Sequence, residues 1–148
     1  MLERKPNRMM WKQLAAVALL GLAGCGDGNP FDYVPVSGRL TYEDGTPIPA
    51  GGMRIGFTVI DVAPKNGAFP RPAEAVVNAE GNFSSVTSYK PGDGLMPGKH
   101  KAAIYYATDA QGKLLIPKDY AHASTTPLVV EVTADSARTP LEIKVPRP

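Results

Sequence analysis

The amino-acid sequence predicts an all-β protein, a single antiparallel seven-stranded β-sandwich that follows an N-terminal helix. Apolar and polar residues alternate with a period of two in several short segments, as they do in half-buried strands. Proline and glycine occur 15 times each among 148 residues and interrupt the chain between those segments. After residue 24, no stretch of twelve residues free of proline and glycine carries a helical apolar stripe. Short strands separated by turn residues are typical of sandwich folds.

The N-terminal segment has the composition of an export signal. Four basic residues and one acid fall within the first twelve positions, and an uncharged apolar run follows at positions 14–23. A basic start followed by a short apolar run is typical of signal peptides. The run is shorter than the roughly 20 apolar residues with which a helix spans a bilayer. We expect Lys12 to Gly21 to form the helix of this signal.

The apolar run ends at Leu22-Ala23-Gly24-Cys25, which contains the only cysteine of the chain. This tetrapeptide resembles the lipobox of bacterial lipoproteins. The resemblance implies that the signal peptidase recognises Leu22, Ala23 and Gly24, and that the Cys25 thiol receives a diacylglyceryl group. Residues 1–24 would then be the signal peptide and residues 25–33 a lipidated tether, with one β-sandwich domain at residues 34–148. The alternative is a cut elsewhere that leaves Cys25 an ordinary thiol.

Removal of residues 1–24 changes the charge of the chain. The full sequence carries 16 basic and 14 acidic residues, and 12 basic and 13 acidic residues remain after the cut. The remaining chain lacks the excess of positive charge that nucleic acids and anionic membrane surfaces attract. We therefore expect no nucleic-acid partner, and a membrane partner only through the lipid on Cys25.

The period-two segments define seven strands in order along the chain. They are Val36–Glu43, Met53–Ile60, Ala73–Ala79, Phe83–Ser88, Lys99–Ala107, Leu128–Thr133 and Leu141–Val145. Asp44-Gly45 supplies the turn after the first strand, and residues 61–72, with three prolines, are expected to form an exposed loop. The residues expected in the core are Leu40, Phe57, Ile104, Val130 and Ile143. In the fifth strand, the alternation predicts that Tyr106 faces inward and Tyr105 outward.

Three stretches resemble the carboxypeptidase regulatory-like, or transthyretin-like, sandwich domains. They are Val36-Ser-Gly-Arg-Leu-Thr-Tyr-Glu-Asp-Gly-Thr-Pro, Gly81-Asn-Phe83, and Pro97-Gly98-Lys-His, where His100 takes the place of the usual tyrosine. The chain as a whole is similar to small lipoproteins of this type in planctomycete-like bacteria. The resemblance covers about residues 34–145 and depends mostly on turn residues. It implies a small extracytoplasmic domain that is accessory or adhesive rather than catalytic.

The sequence offers no constellation of catalytic or metal-binding residues. His100 and His122 are the only histidines, 22 positions apart, and a zinc site needs three or four convergent ligands. Nor does the sequence contain the Gly-x-Ser-x-Gly elbow of serine hydrolases or a phosphate-binding glycine loop. Two enzyme classes share this general sandwich, and the chain lacks the signature of each: the His-x-His pair of intradiol dioxygenases and the C-terminal Tyr-Arg-Gly-Ser of transthyretin-like hydroxyisourate hydrolases. We expect no catalytic residue, metal or cofactor.

A calcium site is the remaining metal alternative. Asp93 together with Asp109 or Asp119 could join backbone carbonyls around calcium. Aspartates beside glycine are more often turn formers, which is the simpler interpretation.

Tyrosines are the remaining candidates for ligand contact. Tyr105 is expected on the outer face of its strand, and Tyr89 and Tyr120 in loops. Tyrosine rings on a flat sheet or at a loop rim stack on sugar rings or peptides, although ordinary partial exposure of tyrosine is the simpler interpretation. The sequence thus predicts a non-catalytic, lipid-anchored module of the cell envelope with a structural, adhesive or assembly role. The alternative is a carbohydrate- or peptide-binding module, with a glycan or an envelope protein as partner.

Overall fold

The computed structural model describes residues 28–148, which form strands and two short 3₁₀ helices. The strands are β1 (Gly38–Tyr42), β2 (Arg54–Val59), β3 (Ala73–Val76), β4 (Asn82–Phe83), β5 (Gly98–Tyr105), β6 (Val129–Val132) and β7 (Leu141–Val145). The 3₁₀ helices are Lys118–Ala121 and Ala134–Ala137. The helix expected at Lys12 to Gly21 lies outside the described residues. Among residues 28–148, no helix has the length and apolar character needed to cross a membrane.

The strands form two sheets, which confirms the all-β prediction. One sheet has the order β4-β1-β7 and the other β3-β2-β5-β6. The pairings of the four-stranded sheet are antiparallel, as expected, but β1 and β7 run parallel. Local hairpins impose antiparallel pairing, whereas strands about a hundred residues apart can pair in either direction. The expectation of a wholly antiparallel fold was therefore wrong for this pair.

One hydrophobic cluster contains buried side chains from both sheets, so the arrangement is sandwich-like. The rings of Phe57 on β2 and Phe83 on β4 meet with their centroids 5.9 Å apart. Four of the five expected core residues are at most 2% exposed: Leu40, Phe57, Ile104 and Ile143. Val130 is only half-buried, contrary to expectation. It belongs to β6, an edge strand with a paired neighbour on one side only.

The fourth strand is much shorter than predicted. It ends at Phe83, because Ser85 adopts a left-handed backbone with φ of 52° that a strand cannot accommodate. A turn joins β3 to β4, in which the Asn78 side chain accepts hydrogen bonds from the backbone N–H groups of Glu80 and Asn82 at 3.1 and 2.8 Å. The polar run after Phe83 is therefore connecting chain, although Thr87 pairs with Glu74 of β3.

Tyr106 does not face the core, contrary to the alternation. β5 ends at Tyr105, and Tyr106 has a φ of 60° and is 68% exposed. The left-handed residue reverses the side-chain direction, so the next buried position is taken by Ala107. Alternation along a strand predicts facing only while the strand continues.

Residues 29–34, of which 29–33 belong to the expected tether, pack on the domain. Phe31 is 6% exposed, and the Lys65 ammonium lies 5.7 Å from the centre of its ring. Val34 pairs with Leu95 through two backbone hydrogen bonds of 2.8 and 3.0 Å. Gly94, with φ of 98°, lets the chains approach this closely, because a Cβ there would overlap the Val34 carbonyl. We call residues 29–34 together with the loop 61–72 the Phe31 end.

Candidate functional site

The candidate site lies on the outer face of the four-stranded sheet, where β2 begins and β5 ends. The strand register places Arg54 opposite Val76 of β3 on one side and opposite Tyr105 of β5 on the other. Polar and aromatic side chains of three adjacent strands therefore meet on one face. We call Arg54, Glu74, Tyr105 and Tyr106 the Tyr105 surface.

An ion pair crosses the middle of this surface. Arg54 Nη1 lies 3.2 Å from Glu74 Oε2, and both side chains are about half exposed. Shallow depressions of about 470 and 380 Å³ flank the pair, and both are lined by Arg54 and Glu74. The first also contains Ser85 and Thr87, whereas the second contains Tyr105 and Tyr106. A ligand in either depression would meet a guanidinium and a carboxylate together.

The Tyr105 ring lies flat over the sheet because position 56 is glycine. A Cβ on Gly56 would come within 2.5 Å of Tyr105 Cε2, so any larger residue would displace the ring. Partial burial raises the pKa of Tyr105, and the nearby Glu74 carboxylate raises this pKa further. The phenol therefore keeps its proton at neutral pH and can donate a hydrogen bond.

Tyr106 projects beside Tyr105 at the end of the strand. Its φ of 60° is uncommon for a bulky residue and costs about 1–2 kcal/mol. Strain of this kind concentrates at functional sites, where the surrounding fold maintains it. Sequence reasoning missed Tyr106, Arg54 and Glu74. The signals available were the adjacent pair Tyr105-Tyr106 and the charges at outward positions of β2 and β3.

This arrangement combines two aromatic rings with hydrogen-bond donors and acceptors on a shallow surface. An aromatic face stacks against the C–H face of a sugar ring or against a peptide side chain. The Arg54 guanidinium donates and the Glu74 carboxylate accepts, as hydroxyl or amide groups require. The surface thus offers the contacts of a binding site for a glycan or a peptide.

The other two predicted tyrosines lie elsewhere. The Tyr89 ring sits in a loop with the Arg71 guanidinium 4.8 Å from its centre. Tyr120 belongs to the 3₁₀ helix Lys118–Ala121 and packs, half-buried, against the hydrophobic core. Neither lines a depression beside the Arg54–Glu74 pair. The structure therefore brings only Tyr105 of the three to this site.

The two histidines lie in different surroundings, one buried in β5 and the other exposed after a 3₁₀ helix. His100 is 3% exposed, with Nε2 2.8 Å from the Met96 carbonyl oxygen, and its Nδ1 has no hydrogen-bond partner within the described chain. Burial lowers the pKa of His100, which keeps the ring neutral, and the hydrogen bond to Met96 opposes this shift. His122 is exposed and follows the 3₁₀ helix Lys118–Ala121.

Two of the three aspartates considered for calcium act in turns, and the third, Asp119, lies in the 3₁₀ helix Lys118–Ala121. The Asp93 carboxylate accepts hydrogen bonds from the backbone N–H groups of Ser88, Tyr89 and Lys90. The Asp109 carboxylate does the same for Gln111 and Lys113. Within residues 28–148, no group of three or more His, Cys, Asp or Glu side chains is arranged to hold a metal ion.

A further depression, of about 280 Å³, lies at the C-terminal end of the chain beside Tyr42. Arg147 Nη2 there lies 2.8 Å from Asp44 Oδ2, and its guanidinium is 4.1 Å from the centre of the Tyr42 ring. Hydrogen bonds from Thr46 and then from Arg147 lower the pKa of the Asp44 carboxyl. These contacts tie the C-terminal residues to the turn after β1.

Leu22, Ala23, Gly24 and Cys25 lie outside the described residues. No family model, curated protein or solved structure matches this chain.

Proposed function

We propose that the chain is a lipid-anchored protein of the bacterial cell envelope, with one β-sandwich domain of the carboxypeptidase regulatory-like type and no catalytic activity. Lipid on Cys25 holds the domain to the membrane, where it acts as a structural, adhesive or assembly module. The lipobox-like sequence before Cys25 supports the anchor. Two sheets with one shared hydrophobic cluster support the sandwich.

The observation that carries the proposal is the position of the first described residues. Val34 pairs with Leu95, three residues before β5 begins, whereas Tyr105 ends that strand. At about 3.3 Å per residue, β5 separates its two ends by about 23 Å. A lipid joined to the chain just before Asn29 would thus hold the Phe31 end near the membrane. The Tyr105 surface, at the other end of β5, would then be farther from the membrane and accessible to a partner.

Detergent partitioning of the full-length chain tests the anchor. Buried acyl chains contribute about 0.8 kcal/mol per CH₂, so a diacylglyceryl group holds firmly where one chain binds marginally. Expressed in a lipoprotein-competent bacterium, the wild type should enter the Triton X-114 phase, and mass spectrometry should find acylated Cys25. The Cys25→Ser variant should remain unprocessed. Mature wild type in the aqueous phase, or an unmodified thiol, would contradict the proposal.

The alternative function is carbohydrate or peptide binding at the Tyr105 surface. The specific observation in its favour is the pair of adjacent tyrosines beside the half-exposed Arg54–Glu74 ion pair. Tyr106 is strained and 68% exposed, and a purely structural role does not account for this combination.

A glycan array and a peptide pull-down with residues 26–148 distinguish the two functions. Binding that is lost in Tyr105→Ala and Arg54→Ala but kept in a matched exposed-aromatic control, Phe69→Ala, favours the binding module. Phe69 lines neither of the two depressions beside the Arg54–Glu74 pair. Binding that is unchanged in both Tyr105→Ala and Arg54→Ala would rule out this surface as the site.

A further inference from the structure

The loop 61–72 at the Phe31 end is ordered and displays the most exposed large apolar side chain in the described part of the chain. Lys65 and Ala68 exchange backbone hydrogen bonds of 3.0 and 2.8 Å around Asn66-Gly67. Both turn residues have positive φ, 49° and 75°, as a tight hairpin of this type requires. Phe69 follows directly and is 73% exposed. A defined hairpin therefore holds this ring in solvent.

Contacts on either side of Phe69 place it beside the first described residues. The Lys65 ammonium contacts the Phe31 ring. Arg71 contacts the Tyr89 ring, and it also lies near Tyr33, whose pKa is raised by burial and lowered to a smaller extent by the Asn29 hydrogen bond and by the Arg71 charge. In sequence, Phe69 thus lies between Lys65 and Arg71, which are both close to the segment 29–34 where the chain enters the domain.

The length of chain between Cys25 and Asn29 limits where a lipid can sit. Four residues span at most about 14 Å when fully extended. A lipid on Cys25 would therefore keep Asn29, and the surface around it, within about that distance of the membrane. The hairpin 65–68 and Phe69 belong to that surface.

We propose that the Phe31 end is a membrane-docking surface and that the Phe69 side chain inserts into the headgroup region of the bilayer that carries the Cys25 lipid. This inference rests on the proposed anchor and adds an orientation to it. The occupant is the lipid surface, because the tether is short and the exposed Phe69 is flanked in sequence by two exposed cationic residues, Lys65 and Arg71. Their cationic heads suit phosphate groups, while an aromatic ring between them suits the apolar boundary below. The charged side chains of the Phe31 end are Lys65 and Arg71 with Asp32 and Asp61, so this surface has no net charge, and the two cationic residues nearest Phe69 in sequence supply its contact with phosphate.

Docking by one phenylalanine depends on the anchor for its strength. Free in solution, a single ring contributes too little to hold a protein on a bilayer. Once tethered, the ring faces the membrane at a high effective concentration, and a weak contact then suffices to set the orientation. The expected result is a fixed orientation without added binding of the unlipidated domain.

Tryptophan fluorescence tests this directly, because Trp11, the one tryptophan of the chain, lies in the segment expected to be removed. The chain from residue 25 onward, with Phe69→Trp, is coupled through Cys25 to a maleimide lipid in phosphatidylcholine–phosphatidylglycerol vesicles. Bromine near the headgroup should quench its emission roughly twofold or more and the emission should shift to the blue. The matched control is Tyr106→Trp, an exposed aromatic at the far end of β5, whose emission should stay unchanged.

Equal quenching of the two variants, or quenching of neither, would overturn the docking proposal. If the Phe69 side chain serves a protein partner instead, bromolipid leaves Phe69→Trp unquenched, which is the same negative result. The chemical coupling supplies the anchor, so this readout does not depend on processing in the cell. A parallel sample lipidated in bacteria tests the anchor itself by mass spectrometry. Failure of the anchor and failure of the docking surface are thus separate results.

Discussion

The Phe31 end and the Tyr105 surface lie at opposite ends of β5 and are built in opposite ways. At the Phe31 end, a buried ring, a backbone bridge and a glycine without room for a Cβ fix the chain in place. The Tyr105 surface instead consists of half-exposed side chains, a solvent-exposed ion pair and a strained tyrosine. Tight packing fixes position, whereas exposed polar and aromatic groups remain available for contact. The difference suggests that one end is built for placement and the other for recognition.

The largest expected effect on stability is at Gly94, where a substitution should disrupt the tight packing of the Phe31 end. Gly94→Ala should lower the free energy of unfolding by about 3 kcal/mol, because a left-handed alanine would be strained and its Cβ would collide with the Val34 carbonyl. Gly92→Ala is the matched control. Gly92 also has positive φ, 72°, but its Cβ would have Ser85 Cα no nearer than 4.0 Å, so it should lose only about 1 kcal/mol.

Urea unfolding followed by circular dichroism measures both glycine variants. Equal losses in the two would mean that backbone strain, and not the close approach to Val34, sets the requirement for glycine. The Phe31 end would then be less tightly fixed than its contacts indicate.

Acidification provides the second test, through His100. Burial lowers its pKa below the usual 6.5, so the unfolded chain binds a proton that the folded chain does not. Stability is therefore complete above about pH 6.5 and falls with decreasing pH by at most about 1.4 kcal/mol per pH unit. The fall stops once the pH is below the folded pKa. Asp44, whose lowered pKa contributes stability that disappears only below about pH 4, acts in a separate window.

The variant His100→Gln keeps a donor for the Met96 carbonyl but cannot titrate, so the dependence between pH 7.5 and 5 should flatten. His122→Gln, an exposed histidine, is the control and should retain the wild-type dependence. Urea midpoints across this range measure it. A wild-type slope that persists in His100→Gln would assign the effect to another group.

The sequence could predict elements that follow local rules and not those that depend on distant pairing. The final strand has its predicted bounds, Leu141–Val145, because apolar residues alternate cleanly there. Tyr106 was misplaced because nothing local indicates that a tyrosine adopts positive φ. The Arg54–Glu74 pair needed the register of β2 against β3, which the charges alone do not give. The parallel pairing of β1 with β7 joins segments too distant for any turn signal to specify.

Relief of strain at Tyr106 should give a smaller effect of opposite sign. Tyr106→Gly should raise the free energy of unfolding by about 0.5–1 kcal/mol, because glycine adopts positive φ without cost but loses more entropy on folding. Tyr106→Ala keeps the strain and removes the ring, so it should show no such gain. If ligand binding falls in both variants, the ring contributes to recognition. A loss of stability in Tyr106→Gly would show that the ring itself holds the end of β5.

The smallest expected change in stability is at the ion pair of the Tyr105 surface. Arg54→Ala should alter the free energy of unfolding by less than about 0.5 kcal/mol, since both partners are half exposed and screened by solvent. Binding of a glycan or peptide should nevertheless weaken by about tenfold or more, equivalent to 1.4 kcal/mol. The matched control is Arg147→Ala, which removes a similarly exposed ion pair with Asp44 at the C-terminal end. Arg147→Ala should leave the affinity for the glycan or peptide unchanged.

A double variant, Arg54→Glu with Glu74→Arg, sharpens the test, because it restores the ion pair but moves the guanidinium from β2 to β3. If the double variant keeps wild-type stability but loses binding, then binding depends on which strand carries the guanidinium and which carries the carboxylate. Wild-type binding would instead leave only the tyrosine rings as the recognition element of this surface.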